Sequence, residues 1–245
     1  MHAQEYQNIF QNEETHFFYR ATHELVVSLV KQYTKAEDLK ILDAGAGTGL
    51  LLQKLKQFGT VEGVDISQEA ITLAKKRGVT LQEGSVTKLP FKNKSFDLIT
   101  SIDVLYHFSI KDEQRAFEEL YRCLRQGGVL ILRVPAHSWL GTSHDQHVHT
   151  RHRYTLSEVY KKATKAGFQV ELISYVHLFL VPFILCAKVI DGLQRKKHSK
   201  SGLSSLPPFL NTFFYVLLTW EKTVVPFFRL PAGVGVIAVL RRVKS

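Results

Sequence analysis

The sequence predicts an α/β chain folded on a doubly wound sheet of parallel strands. Three observations point there. Short apolar runs with strand character alternate with amphipathic stretches of helical period between residues 40 and 176. The first of these runs ends in a glycine-rich turn, Gly45-Ala46-Gly47-Thr48-Gly49, and the next ends in Asp65. A chain of 245 residues, 45% of them hydrophobic, can cover both faces of such a sheet with helices.

The elements follow in order. Phe17, Ala21, Leu25, Leu29 and Tyr33 recur every four residues, so 13–33 reads as one amphipathic helix. Residues 40–44 form a strand stopped by the glycines, and 50–58 a helix. Val61 to Asp65 is the second strand, followed by a helix over 68–77 with Ser67 as its N-cap. Residues 79–83 and 96–102 read as the third and fourth strands. A helix over 111–124 ends at Gly127-Gly128, and the apolar fifth strand, 129–134, is closed by Pro135. A helix over 155–166 and a strand over 168–176 come next. The last strand, 234–241, is expected to alternate against solvent near the chain end. Alternation of this kind joins parallel strands through right-handed crossovers. The expected division is a helical cap over 1–38, the sheet core over 39–176, a helical insertion or lid over 177–232, and the last strand over 233–245.

Composition narrows the class. Cys123 and Cys186 are the only cysteines, too few for a disulfide framework, a zinc ribbon or an iron–sulfur site. The first residues carry Glu5, Glu13 and Glu14 and no long apolar run, which is not the pattern of a signal or transit peptide, so a cytoplasmic setting is expected. The formal charge is +10, from 32 Lys+Arg against 22 Asp+Glu. Residues 1–140 are balanced, with 17 of each sign, whereas 141–245 hold 15 cations and 5 acids. The whole surplus, and any anionic partner it attracts, therefore belongs to the second part.

The glycine turn reads D-x-G-x-G-x-G from Asp43. It lacks the third glycine of a dinucleotide fingerprint and the Gly-Lys-Ser/Thr of a Walker loop. Glycines there let a ligand approach the backbone, and a carboxylate at Asp65 suits a ribose diol. The pattern thus fits a nucleoside without pyrophosphate. LDAGAGTG (42–49), VEGVDIS (61–67), EGSVTKLPF (83–91), SFDLITSIDVLYHF (95–108) and LRQGGVLILRVP (124–135) together resemble the class I S-adenosylmethionine-dependent methyltransferases. The resemblance covers about 40–176 in unbroken order, plus the last strand. It implies a Rossmann-like seven-stranded sheet, mostly parallel with an antiparallel last strand, and S-adenosylmethionine as cofactor. Carried over position by position, Gly45, Gly47 and Gly49 would floor the methionine part. Asp43 would order the loop or meet the amine through water, Asp65 would hold the ribose, and Ile66 would pack on adenine. Ser85 stands where the family often has Asp, which shifts the adenine contact toward the Val86 backbone. Ser101 and Ile102 would end the fourth strand beneath the cofactor. Gln126 stands where the family often has Pro.

Methyl transfer relies on positioning and on desolvation of the nucleophile. An oxygen acceptor also needs a base, and His107, following the fourth strand with Asp103 and Tyr106, is a candidate. The segment Ser101-Ile102-Asp103-Val104 lacks the proline–aromatic element typical of exocyclic amine methylation of bases, which argues against a base-flipping nucleic-acid enzyme. His144 to Thr155 holds His144, His147, His149, Arg151, His152, Arg153 and Tyr154. It resembles an H-D…H…R-R-Y-T element of a subgroup of these methyltransferases. Arg151 and Arg153 are read as anion holders, Tyr106 and Tyr154 as acceptor-binding residues, and His144 and His149 as further candidate bases. No metal is expected.

Between the last two strands, apolar residues run over 178–187. They recur from Leu206 at 209, 210, 213, 214, 217 and 218, with Pro207-Pro208 in the opening turn. The cationic run Arg195-Lys196-Lys197-His198-Ser199-Lys200 joins the two segments. Neither segment has the roughly 20 apolar residues that span a bilayer. Two readings remain: a cap over the acceptor site, or a cap that also touches anionic membrane through 177–230. The function expected is methyl transfer, with O-methylation favoured, to a small-molecule or lipid-like acceptor that is apolar and bears an anionic group. The alternatives are an RNA methyltransferase and a non-enzymatic cofactor-binding protein at a membrane.

Overall fold

In Leu39–Ala44, the first strand (β1), neighbouring Ile41 and Leu42 are both fully buried. Successive side chains on a strand point to opposite faces, so β1 must be covered from both sides. The computed structural model, which describes residues 3–35, 37–141, 150–194 and 206–243, shows how. Two helices, α1 (Ala3–Asn12) and α2 (Phe17–Tyr33), precede β1. Then follow α3 (Leu50–Leu55), β2 (Gly59–Asp65), α4 (Gln68–Lys76), β3 (Leu81–Glu83) and β4 (Phe96–Ile102). The second half contains α5 (Glu113–Cys123), β5 (Leu124–Pro135), α6 (Leu156–Lys165), β6 (Phe168–Val176), α7 (Leu180–Gln194), α8 (Pro208–Val224) and β7 (Gly235–Arg242).

Among the described residues seven strands form one sheet, in the order β3-β2-β1-β4-β5-β7-β6. β1 to β5 pair in parallel, and β7 runs antiparallel to both β5 and β6. The chain reverses strand order between β1 and β4, which is where such sheets open a crevice at the carboxyl ends of their strands. Leu42, Phe117, Tyr154, Val236, Ala238 and Leu240 share one core with α5 and α6. Leu25, Leu29, Ile41, Leu98, Ile237 and Val239 share the other with α2. The strict alternation along β7 between these cores is the period-2 pattern of a strand covered on both faces.

Three expectations change. The helix read as 13–33 begins only at Phe17: Glu13–Thr15 is a turn, and a separate helix, α1, precedes it. His16 caps the second, its Nδ1 accepting from the Phe18 N–H at 3.3 Å. Asn211 of α8 locks that turn, accepting from Phe17 N–H (2.9 Å) and donating to Thr15 O (2.9 Å). The helix expected to end at Gly127-Gly128 stops at Cys123, and the chain passes directly into β5. β7 does not alternate against solvent near the end: Gly235 to Leu240 are buried, because β7 is inserted between β5 and β6.

The insertion supplies α7 and α8. Pro208 lies in the first turn of α8, where a missing N–H costs nothing. α8 lies along α2, where Phe17, Ala21, Leu180 and Leu218 form a separate apolar cluster. The Arg20 guanidinium lies 3.7 Å from the Tyr215 ring centroid, and Lys222 pairs with Glu24 at 2.9 Å. No helix among the described residues is long and apolar enough to cross a membrane.

Candidate active site

The carboxyl ends of β1, β2 and β4 open into a cavity of about 910 Å³. Its floor is the glycine loop. The N–H groups of Gly45 and Ala46 both donate to Val64 O, at 2.8 and 3.0 Å, which ties the loop to β2. Gly45 has φ +87°, and an added Cβ would meet Val104 at 2.3 Å, so no larger residue fits. Asp65 accepts from Gly47 N–H (2.8 Å) and from Ser67 N–H (2.9 Å), so one carboxylate braces the loop and the start of α4. Burial raises its pKa while these N–H groups oppose the rise. Asp43, fully desolvated, accepts from Thr100 Oγ1 at 2.7 Å, and burial pushes its pKa up to about 7.

Asp43, Gly45, Gly47, Asp65, Ile66, Ser85, Val86 and Ile102 all line the cavity. Ile66 is 56% exposed at its rim, an apolar surface open to a ring. Ser85 Oγ is hydrogen-bonded to Thr87 Oγ1 at 2.8 Å, which makes its own turn. Two residues expected here face elsewhere. Gly49 starts α3, and an added Cβ there would meet Val79 at 2.4 Å, so it serves helix packing. Ser101 points the other way from Ile102 along β4 and donates to Ala44 O at 3.0 Å.

The roof comes from the N-terminal helices. Tyr6, Ile9, Glu13, His16, Tyr19, Thr22 and His23 line the cavity. Glu13 accepts from Thr48 Oγ1 and pairs with Arg77 at 3.2 Å. Arg77 also stacks on Phe10, its guanidinium 4.3 Å from the ring centroid, and donates to Phe10 O at 2.8 Å. Burial pushes Glu13 up to about 7 and His23 down to about 3. Thr22 Oγ1 and His23 Nδ1 are buried without a hydrogen-bond partner among the described residues. Buried polar atoms normally find a partner, so this pair, two carboxylates, an exposed Ile66 and a bare glycine floor fit a ligand with both polar and ring parts.

The far end differs. Asp103 follows β4 with φ +58°, its N–H bonded to Arg133 O at 2.9 Å. Arg133, inside β5 and almost fully buried, forms an ion pair with Asp103 through Nη1. Its Nη2 lies 3.2 Å from His177 Nδ1. Arginine only donates, so His177 Nδ1 is the acceptor and the ring is neutral, in keeping with the downward pKa shift from burial and the arginine charge. The backbone N–H of His177 donates to the Glu221 carboxylate of α8, and Phe18 lies with its ring centroid 4.9 Å from the arginine. Asp103, Tyr106, His107, Arg133 and Arg153 line the cavity, and Leu180, Phe183, Ile184 and Phe214 form its apolar wall. His107 Nδ1 lies 2.9 Å from Ser109 Oγ. Arg153 donates to Ala136 O at 3.1 Å.

Other expected residues are not brought in. Arg151 pairs with Glu113 of α5 and lies off the cavity. Tyr154 is fully buried and donates to Leu105 O at 3.0 Å, which anchors its loop to the segment after β4. His144 and His149 lie outside the described residues, as does the run 195–200. Among the described residues no group of three His, Cys, Asp or Glu side chains is placed to hold a metal ion. The sequence reading placed a helical cap over 1–38 but named none of its residues as lining the cavity, and it missed Arg133. For Arg133 a signal existed: a lone arginine in the apolar run Val129 to Val134 needs buried partners.

A family model described as a methyltransferase domain matches residues 42–132. The chain is 37% identical over 95 residues to a mouse protein named "Probable tRNA methyltransferase 9B", a match covering 38% of this chain and 21% of that one. It is 34% identical over 116 residues to a rice 2-methyl-6-phytyl-1,4-hydroquinone methyltransferase, covering 42% of this chain and 31% of that protein. It therefore spans less than a third of the length of either relative. In fold it is similar to a solved SAM-dependent methyltransferase from Thermotoga maritima, with TM-score 0.61 and 21% identity over 98% of this chain and 95% of that one.

Proposed function

We propose that the chain, whose residues 42–132 match a methyltransferase domain, is a class I S-adenosylmethionine-dependent methyltransferase that methylates a small-molecule or lipid-like acceptor with an apolar body and an anionic group. When bound, S-adenosylmethionine supplies an electrophilic methyl group on a sulfonium centre. Gly45, Gly47, Asp43, Asp65 and Ile66 are the residues that would hold it, with Thr22 and His23 offering their unpartnered atoms from the roof.

One observation carries the acceptor reading. The cavity that begins at Asp65 and Ile66 continues without a break to an apolar wall on α7 and α8, with Arg133 and Arg153 between. Such a wall takes an apolar body and excludes water; Arg133 is held by Asp103 and His177, so Arg153 on the lining is the guanidinium whose fork suits an acidic group. The rice relative's name, which specifies a phytyl hydroquinone, supports the apolar half of this reading. His107, on the cavity lining beside Tyr106, is the residue to take a proton from an oxygen nucleophile.

A second reading, RNA methylation, is favoured by the name of the mouse relative and by the basic second part of the chain. The family model stops at residue 132, before Arg133, Arg153 and the insertion, so it bears on the cofactor half alone. The deciding test is incubation with methyl-labelled S-adenosylmethionine and fractionated cell extract. Label in lipids or apolar acids supports the first reading, label in RNA replaces it with the second, and no label in any fraction removes both.

A further inference from the structure

The outward side of the insertion presents an apolar surface that the cavity does not use. On α8, Phe209, Phe213, Val216 and Trp220 are 71, 52, 62 and 58% exposed. Their i, i+4, i+7, i+11 spacing is one stripe of a helix. The neighbouring stripe, Phe214 and Leu218, faces α2 instead. Phe227 and Phe228 extend the surface past the end of α8. On α7, Phe183, Leu185 and Val189 are exposed as well. The two helices meet through rings, Phe183 of α7 and Phe214 of α8 lying 4.9 Å apart. Exposed aromatic surface on this scale marks an interaction site rather than ordinary solvent-facing surface.

Charge decides between occupants. Residues 177–232 carry seven Lys+Arg and two Asp+Glu. One of those acids, Glu221, is buried beneath His177 and offers nothing to a partner. Arg229 is exposed directly beside Phe227 and Phe228, and in sequence the run Arg195, Lys196, Lys197 and Lys200 links the two helices. Two copies joined through an insertion of that net charge would bring like charges together. An anionic bilayer instead offers phosphates to the cations and an acyl boundary to the rings. We propose that the α7–α8 face docks on the surface of an anionic membrane, with Phe213, Trp220, Phe227 and Phe228 entering the interface and Arg229 meeting the headgroups. Phe183 belongs to both this face and the cavity wall, so the apolar surface runs from the docked face into the acceptor end. The docking stands on the exposed face alone and does not depend on which acceptor is methylated.

The test uses the full chain with vesicles of phosphatidylcholine, alone or with a quarter phosphatidylglycerol. Cosedimentation is expected about tenfold or more stronger on the anionic vesicles, weakening as salt rises from about 0.05 to about 0.5 M. Tryptophan emission is expected to shift to the blue as Trp220 leaves water. Phe213→Glu and Phe227→Glu should each weaken vesicle binding about tenfold or more while leaving the far-ultraviolet circular dichroism and the S-adenosylmethionine Kd unchanged. Phe227 lies outside any helix, so its variant remains informative should Phe213→Glu fail to fold. The proposal is overturned by equal affinity for neutral and anionic vesicles, by variants that bind like the parent chain, or by absence of binding. A dimer that Phe213→Glu converts to monomer, with vesicles left unbound, would assign the face to a second copy instead.

Discussion

At one end of the cavity, Asp43, Gly45, Gly47, Asp65 and Ile66 come from the single stretch 43–66. At the other, Asp103, Arg133, Arg153, Leu180 and Phe214 come from one strand, two helices and two loops scattered between 103 and 214. The first end is polar and bound to backbone N–H groups. The second is apolar, with charges held by one another in the Asp103–Arg133–His177 chain. A ligand shared across a family can be read by one local turn, because the backbone of that turn makes the contacts. An acceptor is read by side chains, and side chains from distant segments meet only once the sheet and its insertion have formed. The difference predicts that the two ends fail separately.

The largest separation is expected from Arg133→Met. It leaves the part-buried Asp103 carboxylate and the buried His177 without their partner and should destabilise the chain by about 2 to 4 kcal/mol in urea unfolding. Adding Asp103→Asn removes the uncompensated charge and should recover part of the loss. A double variant no more stable than the single would break the reading of this chain as one network. Next comes Asp65→Ala, which strips the acceptor from Gly47 N–H and Ser67 N–H. Cofactor binding should weaken by about 3 kcal/mol, roughly a hundredfold in Kd by calorimetry, with the circular dichroism spectrum retained. An unchanged Kd would move the cofactor away from the glycine loop.

The smallest effect sharpens the roof. Glu13 has an ordinary value of 4.5 and a folded value of about 7. Between these the folded chain holds a proton that the unfolded chain has lost, so stability falls as pH rises from 4.5 to 7 and levels off above. Glu13→Gln removes that contribution. Its stability relative to the parent chain should rise by roughly 2 to 3 kcal/mol between pH 4.5 and 7.5, read from unfolding curves at each pH. Parallel pH profiles for the two chains would mean that Glu13 is ionised freely and the roof is loose.

That Asp43, Gly45, Gly47 and Asp65 share one end of the cavity was legible in the sequence, since strand, glycine turn and terminal acid are local patterns. The errors there are also local. Of neighbouring Ser101 and Ile102 only one can face the cavity, and strand alternation assigns it to Ile102. Gly49 shares its motif with Gly45 yet answers to Val79, a packing partner that no turn pattern announces. The seven strands were legible by their apolar runs, but the interior place of β7 was not, because residues 241 and 242 look like a solvent-facing end until Arg241 is seen donating to Gly127 O and Tyr33 O. Helix α1 fell inside the helical cap expected over 1–38 but was not read as an element of its own. Its residues are mostly polar, and what holds it is Arg77 and Glu69 of a distant segment. Arg151 and Arg153 looked equivalent, and only the position of Glu113 on α5 separates them.

Val176 and Gly235 are direct partners across β6 and β7, and Val234 N–H donates to Val176 O at 2.8 Å. Topologically the whole insertion is therefore the loop of a hairpin, filling a place where two residues would suffice. Closing so long a loop costs little more than closing a short one, because the entropy grows only with the logarithm of length. The sheet can keep its register whatever is threaded between these two residues, which makes the insertion an exchangeable cassette on a fixed frame.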